Sequence, residues 1–108
     1  MAYDEVLADR VRDQLADRGD VTEKKMFGGL AFLAGGKMGV GISGDSLMVR
    51  VGAEEYETAL AEPGVGEFGK TGRPMTGWVL VAPQSLEDDS ELRRWVSRGI
   101  GYATDLED

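Results

Sequence analysis

The chain has 108 residues, with 20 Asp and Glu against 12 Lys and Arg, a net charge of −8, and neither Cys nor His. That length fits one domain, and 42% hydrophobic residues are enough for one core. The missing Cys and His exclude disulfides, a thiol nucleophile and a Ser-His-Asp triad, and they remove the usual zinc ligands.

No run is long enough to span a membrane, and the start MAYDEVLADR lacks the basic-then-apolar plan of a signal peptide. The expectation is a cytoplasmic protein without a membrane partner. The charge is unevenly spread. Residues 21–51 carry Lys24, Lys25, Lys37 and Arg50 against Glu23 and Asp45, while the segments on either side are acidic. An acidic chain repels nucleic-acid phosphate, so direct nucleic-acid binding is disfavoured.

Tyr3 to about Arg18 reads as a helix, with Val6, Leu7, Val11 and Leu15 at helical spacing and Gly19-Asp20 as its end. The acids at 4, 5, 9, 13 and 17 fall away from that stripe, as on a solvated face. Val21-Thr22-Glu23 leads into a meander of three strands, about Met26–Ala34, Lys37–Ile42 and Leu47–Val51. Its turns are Gly35-Gly36, which supplies positive φ angles, and Ser43-Gly44-Asp45-Ser46. Lys24 and Lys25 are a candidate anion contact, with an ordinary charged strand entry as the favoured reading. Gly28-Gly29 lacks the spacing of a phosphate-binding loop.

Strict alternation puts Met38, Val40 and Ile42 on one face of the middle strand, beside Leu47, Val49 and Val51. Lys37, Gly39, Gly41 and Ser43 then form a face almost without side chains. Bare glycines in a strand mark a bulge or the close approach of another group. Gly39 and Gly41 are therefore candidate contacts for a ligand or partner, set against a bulge, strong twist or tightly packed helix.

After Arg50, Gly52 opens a short helix over about Ala53–Ala61, with Tyr56, Ala59 and Leu60 inward and Pro63-Gly64 as its stop. Glu67-Phe68 reads as a short edge strand, and Thr71-Gly72-Arg73-Pro74-Met75 as turn material. Gly77–Val81 reads as a buried strand, with Trp78 and Leu80 opposite Val79 and Val81. Asp88 with Glu91 reads as a capping box for a last helix from Asp89. Its stripe is Leu92, Trp95, Val96, Gly99, Ile100 and Ala103. The tail from Asp105 reads as frayed. The result is one α+β domain, residues 1–108 with a core of about 3–104. Its order is helix, three-strand antiparallel meander, helix, one or two strands, helix, arranged as a two-layer α/β sandwich.

Five segments in order carry a resemblance: KKMFGGLAFL, LMVRVGAEEYETAL, EPG, TGRPMTGWVLV and ELRRWV. Over about residues 5–103 the chain resembles the N-terminal domain of the TfoX/Sxy competence-regulator family. The matching residues are Met26, Phe27, Gly28, Gly29, Arg50, Tyr56, Gly72, Arg73, Pro74, Met75 and Trp78. The resemblance implies a two-layer domain like the type III secretion chaperone fold, in a cytoplasmic bacterial protein. Regulators of that family carry a second, helical domain and act in competence-gene transcription with a cyclic-AMP-receptor-type activator. The present chain ends before such a domain would begin. The resemblance brings no catalytic residues.

Four functions compete. The first is a non-enzymatic interaction domain, without catalytic residues, cofactor or metal, that contacts a protein partner or associates with itself as a homodimer. The second is a small anionic-ligand site built on Arg50 and Arg73, helped by Lys24 or Lys25, because arginine suits bidentate recognition of carboxylate and phosphate. The third is an enzyme limited to carboxylates, Tyr and Lys, for which no reaction class is singled out. The fourth, direct DNA binding, is opposed by the charge. The first is the expected function.

Overall fold

The computed structural model describes residues 3–26, 28–70 and 73–106, with the side chains of residues 26, 69, 70 and 73–75 outside the description. Helix α1 (Glu5–Gln14) starts at Asp4, whose carboxylate accepts from the Val6 and Leu7 amides at 2.9 and 3.2 Å. Such an N-cap satisfies donors that have no partner inside the helix. Leu7, Ala8, Val11 and Leu15 face inward. Val6 does not, being 70% exposed, and Ala8 takes its expected place on the stripe.

Six strands follow as one antiparallel sheet: β1 (Val21–Met26), β2 (Gly29–Ala34), β3 (Lys37–Ser43), β4 (Ser46–Arg50), β5 (Val65–Lys70) and β6 (Arg73–Val81). Their spatial order is β1-β2-β3-β4-β6-β5. The β2–β3 turn has Gly35 and Gly36 at φ 58° and 85°, as the paired glycines predict. Ser43 pairs with Ser46 across the second turn. The sheet has two features that the sequence reading lacks. Residues 21–26 form a full edge strand rather than a lead-in, and β6 begins at Arg73 rather than Gly77.

The face assignment of β3 needs correction. Phe32 opposes Val40 while Leu33 opposes Met38, which leaves Gly39 as an extra residue in β3. This bulge shifts the alternation by one and exchanges Lys37 with Met38. Lys37 turns to the helical side, where its ammonium donates to the Leu106 carbonyl at 2.7 Å. Met38 turns outward, to the same side as Gly41 and Met48.

Helix α2 (Tyr56–Leu60) follows Gly52, whose φ of 86° turns the chain out of β4. Tyr56 and Ala59 are buried and Leu60 is partly buried against them. Helix α3 (Asp89–Asp105) buries Leu92, Trp95, Val96, Gly99, Ile100 and Ala103, the stripe expected from its spacing. Asp88 caps it through the Ser90 amide and hydroxyl, at 2.8 and 2.7 Å, while Glu91 pairs with Arg94 instead of completing a capping box. Arg10 ties α1 to the start of α3, donating to the Leu86 carbonyl and pairing with Asp89.

The helices and one sheet face share a single core. Its sheet residues are Leu30, Phe32, Ala34, Val40, Ile42, Leu47, Val49, Val79 and Val81, which register places on one side. The seat of α3 on the sheet is built from two glycines. A Cβ on Gly39 would lie 2.5 Å from the Gly99 carbonyl oxygen and 2.9 Å from Ile100 Cα. Backbone therefore meets backbone at this crossing. No helix among the described residues is long and apolar enough to cross a membrane.

Candidate interaction face

The sheet's second face lies opposite the helices. Register runs a row across it from Lys24 through Ala31, Gly41, Met48 and Leu80 to Gly66. Leu33 with Met38, and Arg50 with Trp78, flank that row. Gly41 is the floor. A Cβ there would lie 2.6 Å from Met48 Cε and 2.7 Å from Met38 Cε. The two methionines thus fold over a position that has no side chain of its own. Ala31, opposite Gly41, is wholly buried, while Leu33, Met38, Trp78 and Leu80 are half-buried.

The charge of this face differs from that of the chain. Glu23 and Glu67 pair with Phe32 and Val79, which puts both on the helical side, and Glu23 is held there by Arg12 of α1 at 2.7 Å. Asp45 sits in a turn. Among the described residues the outer rows carry Lys24 and Arg50 and no carboxylate.

Arg50 ends β4. Its guanidinium carbon is 5.4 Å from the Trp78 ring centre and 5.5 Å from that of Tyr102 on α3. Both distances suit cation–π attraction. Gly52 makes room for Tyr102, because a Cβ on Gly52 would overlap that ring. Arg10, Arg12, Arg18, Arg94 and Arg98 are all paired with carboxylates. Arg50 has no such pair among the described residues and no hydrogen bond from its guanidinium. Trp78 belongs to the outer face and Tyr102 to the helical layer, so the guanidinium sits at the end of β4 where the two sides of the sheet meet, and among the described residues nothing uses its donors.

The six residues singled out from the sequence therefore separate. Lys24, Gly41 and Arg50 share the outer face. Lys24 is three strands from Arg50, about 14 Å at the usual ~4.8 Å spacing. Lys25, opposite Leu30, belongs to the other side. Gly39 faces α3 and its approach is filled by Gly99, so close packing of a helix accounts for it. Arg73 pairs with Lys70 at the tip of the β5–β6 hairpin. Its side chain, with Phe27 and Gly72, lies outside the described residues. Trp78, expected in the core, lies on the outer face; Trp95 is the core tryptophan. Met38 and Tyr102 were not found from sequence. An outward Met48 in an otherwise alternating strand was the available signal.

A concavity of about 320 Å³ is lined by Glu62, Pro63, Gln84, Ser85, Glu87, Asp88, Glu91, Arg94 and Trp95. Its one cation is already bound, since Arg94 pairs with Glu62 and Glu91 at 2.8 and 3.0 Å. The hydrogen bond from Arg94 holds the Glu62 pKa below the usual glutamate value, and the Ser90 hydroxyl and amide do the same for Asp88. Carboxylates fixed in the ionised form do not serve as general acids at neutral pH. Tyr56 is shifted the other way. Burial raises its phenol pKa, with Glu67 and Glu57 adding to the effect, and the hydroxyl has no hydrogen-bond partner. It is a packing residue on the buried side of α2. Among the described residues no group of three or more His, Cys, Asp or Glu could hold a metal ion.

Comparison with curated proteins returns no match. The family model for the TfoX N-terminal domain matches residues 13–103, from within α1 to near the end of α3. With most of its length so matched, this chain belongs to the TfoX N-terminal domain family.

Proposed function

We propose that this domain is a non-enzymatic, cytoplasmic interaction module that engages a partner protein through the outer face of its sheet, as an accessory to regulation. One observation carries the reading. In a chain of net charge −8, one whole sheet face is left without a helix and without a described carboxylate, and it carries half-buried Leu33, Met38, Trp78 and Leu80. Apolar surface with a charge-depleted centre is the composition of interface cores.

The test is affinity capture of the tagged chain from its own host, followed by native mass spectrometry. Leu33→Asp and Leu80→Asp should release a co-purifying polypeptide that the parent retains. Val6→Asp, on the exposed side of α1, should keep it. Retention by both outer-face variants would refute the reading. A small-anion site at Arg50 with Arg73 is the second reading, favoured by the unpaired Arg50 guanidinium. It predicts a few hundred daltons of retained mass, on the order of a nucleotide, in place of a polypeptide.

A further inference from the structure

Resting on the interaction reading above, we infer that the outer face takes an acidic amphipathic helix of a partner protein, and that Arg50 is the residue that selects it by pairing with one of its carboxylates. Three features of the face identify that occupant. Its fixed charges among the described residues, Lys24 and Arg50, are both positive. Its centre is apolar. Its floor can be remodelled, because the Met38 and Met48 methyl groups rest on Gly41 and thioether side chains rearrange at little cost.

Size agrees with a helix. Six strands at ~4.8 Å spacing give a face about 24 Å across, the length of a helix of roughly 16 residues at 1.5 Å each. A helix laid on the open side would complete a three-layer arrangement, with its apolar stripe on the methionines and leucines and its acids over Arg50 and Lys24. The other occupants fit less well. Nucleic acid meets two cations on a chain of net charge −8, too few for backbone recognition. A second copy stacked face to face sets the same cations against each other and supplies no described carboxylate.

Arg50 is suited to selection by its setting. Trp78 and Tyr102 hold the guanidinium from two sides, so it does not have to be ordered when a partner arrives. Arg, Trp and Tyr are also the residues that most often dominate binding at interfaces. A planar donor held this way favours a carboxylate, which accepts two parallel hydrogen bonds.

The test uses three synthetic helical peptides of about 16 residues, titrated into the full chain and followed by amide chemical shifts in NMR. One has a leucine stripe and glutamates. The second has the same stripe with lysines. The third keeps the glutamates and replaces the leucines by alanine. The first should bind and shift residues of β2, β3, β4 and β6. The other two should bind at least about tenfold more weakly. Arg50→Gln should weaken the first peptide about tenfold and reduce its salt dependence, Arg50→Lys should restore part of both, and Arg93→Gln on the exposed side of α3 should change neither.

Equal binding of the lysine peptide, shifts confined to the helices, or an Arg50→Gln variant that binds as the parent does would overturn the inference. So would inorganic phosphate producing the same Arg50-dependent shifts and displacing the peptide, which would identify a small-anion site. The two readings fail separately. If Leu33→Asp still releases a captured partner while no peptide binds, the interaction face stands and the acidic helix falls.

Discussion

Gly39→Ala isolates the contact that seats α3 on the sheet. The new Cβ would lie 2.5 Å from the Gly99 carbonyl oxygen, 2.8 Å from its carbon and 2.9 Å from Ile100 Cα. All three are backbone atoms, so no side chain can turn away to relieve the overlap. Gly39 is outside the left-handed region, and alanine brings no conformational strain there. The cost is steric and falls at the upper end of the overpacking range, about 3 kcal/mol. At about 4 °C per kcal/mol for a domain of this size, the melting temperature should fall by roughly 12 °C. Gly99→Ala meets the Gly39 backbone from the other side, but alanine also gains up to about 1 kcal/mol inside a helix, so its net loss should be about 2 kcal/mol. Gly101→Ala, two residues along the same helix with nothing within 4 Å of its Cβ, should instead stabilise by about 0.5–1 kcal/mol. Urea denaturation monitored by circular dichroism reads all three. Once one alanine has lifted the helix, the second costs less, so the double variant should lose less than the sum. A Gly39→Ala protein within about 0.5 kcal/mol of the parent would refute the seat, since that is the spread of inconsequential surface changes.

Three further outcomes are expected. Tyr56→Phe removes a buried hydroxyl that has no partner, and should leave stability unchanged or raise it by up to about 1 kcal/mol in urea; because the folded state raises this phenol's pKa, the parent's stability should also fall as pH rises above the ordinary value of 10.0, and the Phe variant should lose that part of the fall. Glu23 and Glu62 are shifted below the usual 4.5, first by hydrogen bonds from Arg12 and Arg94 respectively, so their contribution is complete above that value and is lost as pH falls below it. Glu62→Gln should flatten that acid limb by less than about 1 kcal/mol, and an unchanged limb in denaturation midpoints between pH 5 and pH 2 would exclude the pair as its source. Asp88→Ala should cost about 1 kcal/mol by uncapping α3, with Asp88→Asn recovering most of it, as measured by thermal melts.

Much of the sheet could be read from residue type alone. The Gly35-Gly36 pair, the Ser43–Ser46 turn and the stripe from Leu92 to Ala103 each carry a period or a turn requirement that the fold then meets. The strand missed outright is the β1 edge; the β5 edge is legible at Glu67-Phe68 but runs longer, over Val65–Lys70, and β6 starts earlier than expected. Thr22, Glu23, Lys24 and Lys25 show no apolar alternation, because an edge strand keeps one side in water and uses charge to discourage further pairing. Strand β5 has glycines at positions 66 and 69, and β6 has a proline at position 74. Pro74 is tolerated because β4 pairs with β6 only from Trp78 onward, so this part of β6 has β5 as its one described neighbour.

The candidate site was less legible, and a single residue explains why. Strict alternation makes Gly39 and Gly41 share a bare face, whereas the bulge at Gly39 sends them to opposite sides. A bulge is a property of two paired strands, and no pattern within β3 alone reveals which neighbour lacks the extra residue. The same residue links the fold to the site. Gly39 seats Gly99, and Tyr102 stands one turn further along α3, against Gly52 and beside Arg50. The glycine contact that closes the core therefore also sets the cage that holds the arginine. Alanine at Gly39 or Gly99 should disturb stability and peptide binding together. Tyr102→Leu leaves the glycine seat intact and removes one ring from Arg50, so it should lower binding of the acidic peptide with a smaller change in melting temperature. If the two effects remained locked together in Tyr102→Leu, the cage would be no more than part of the core.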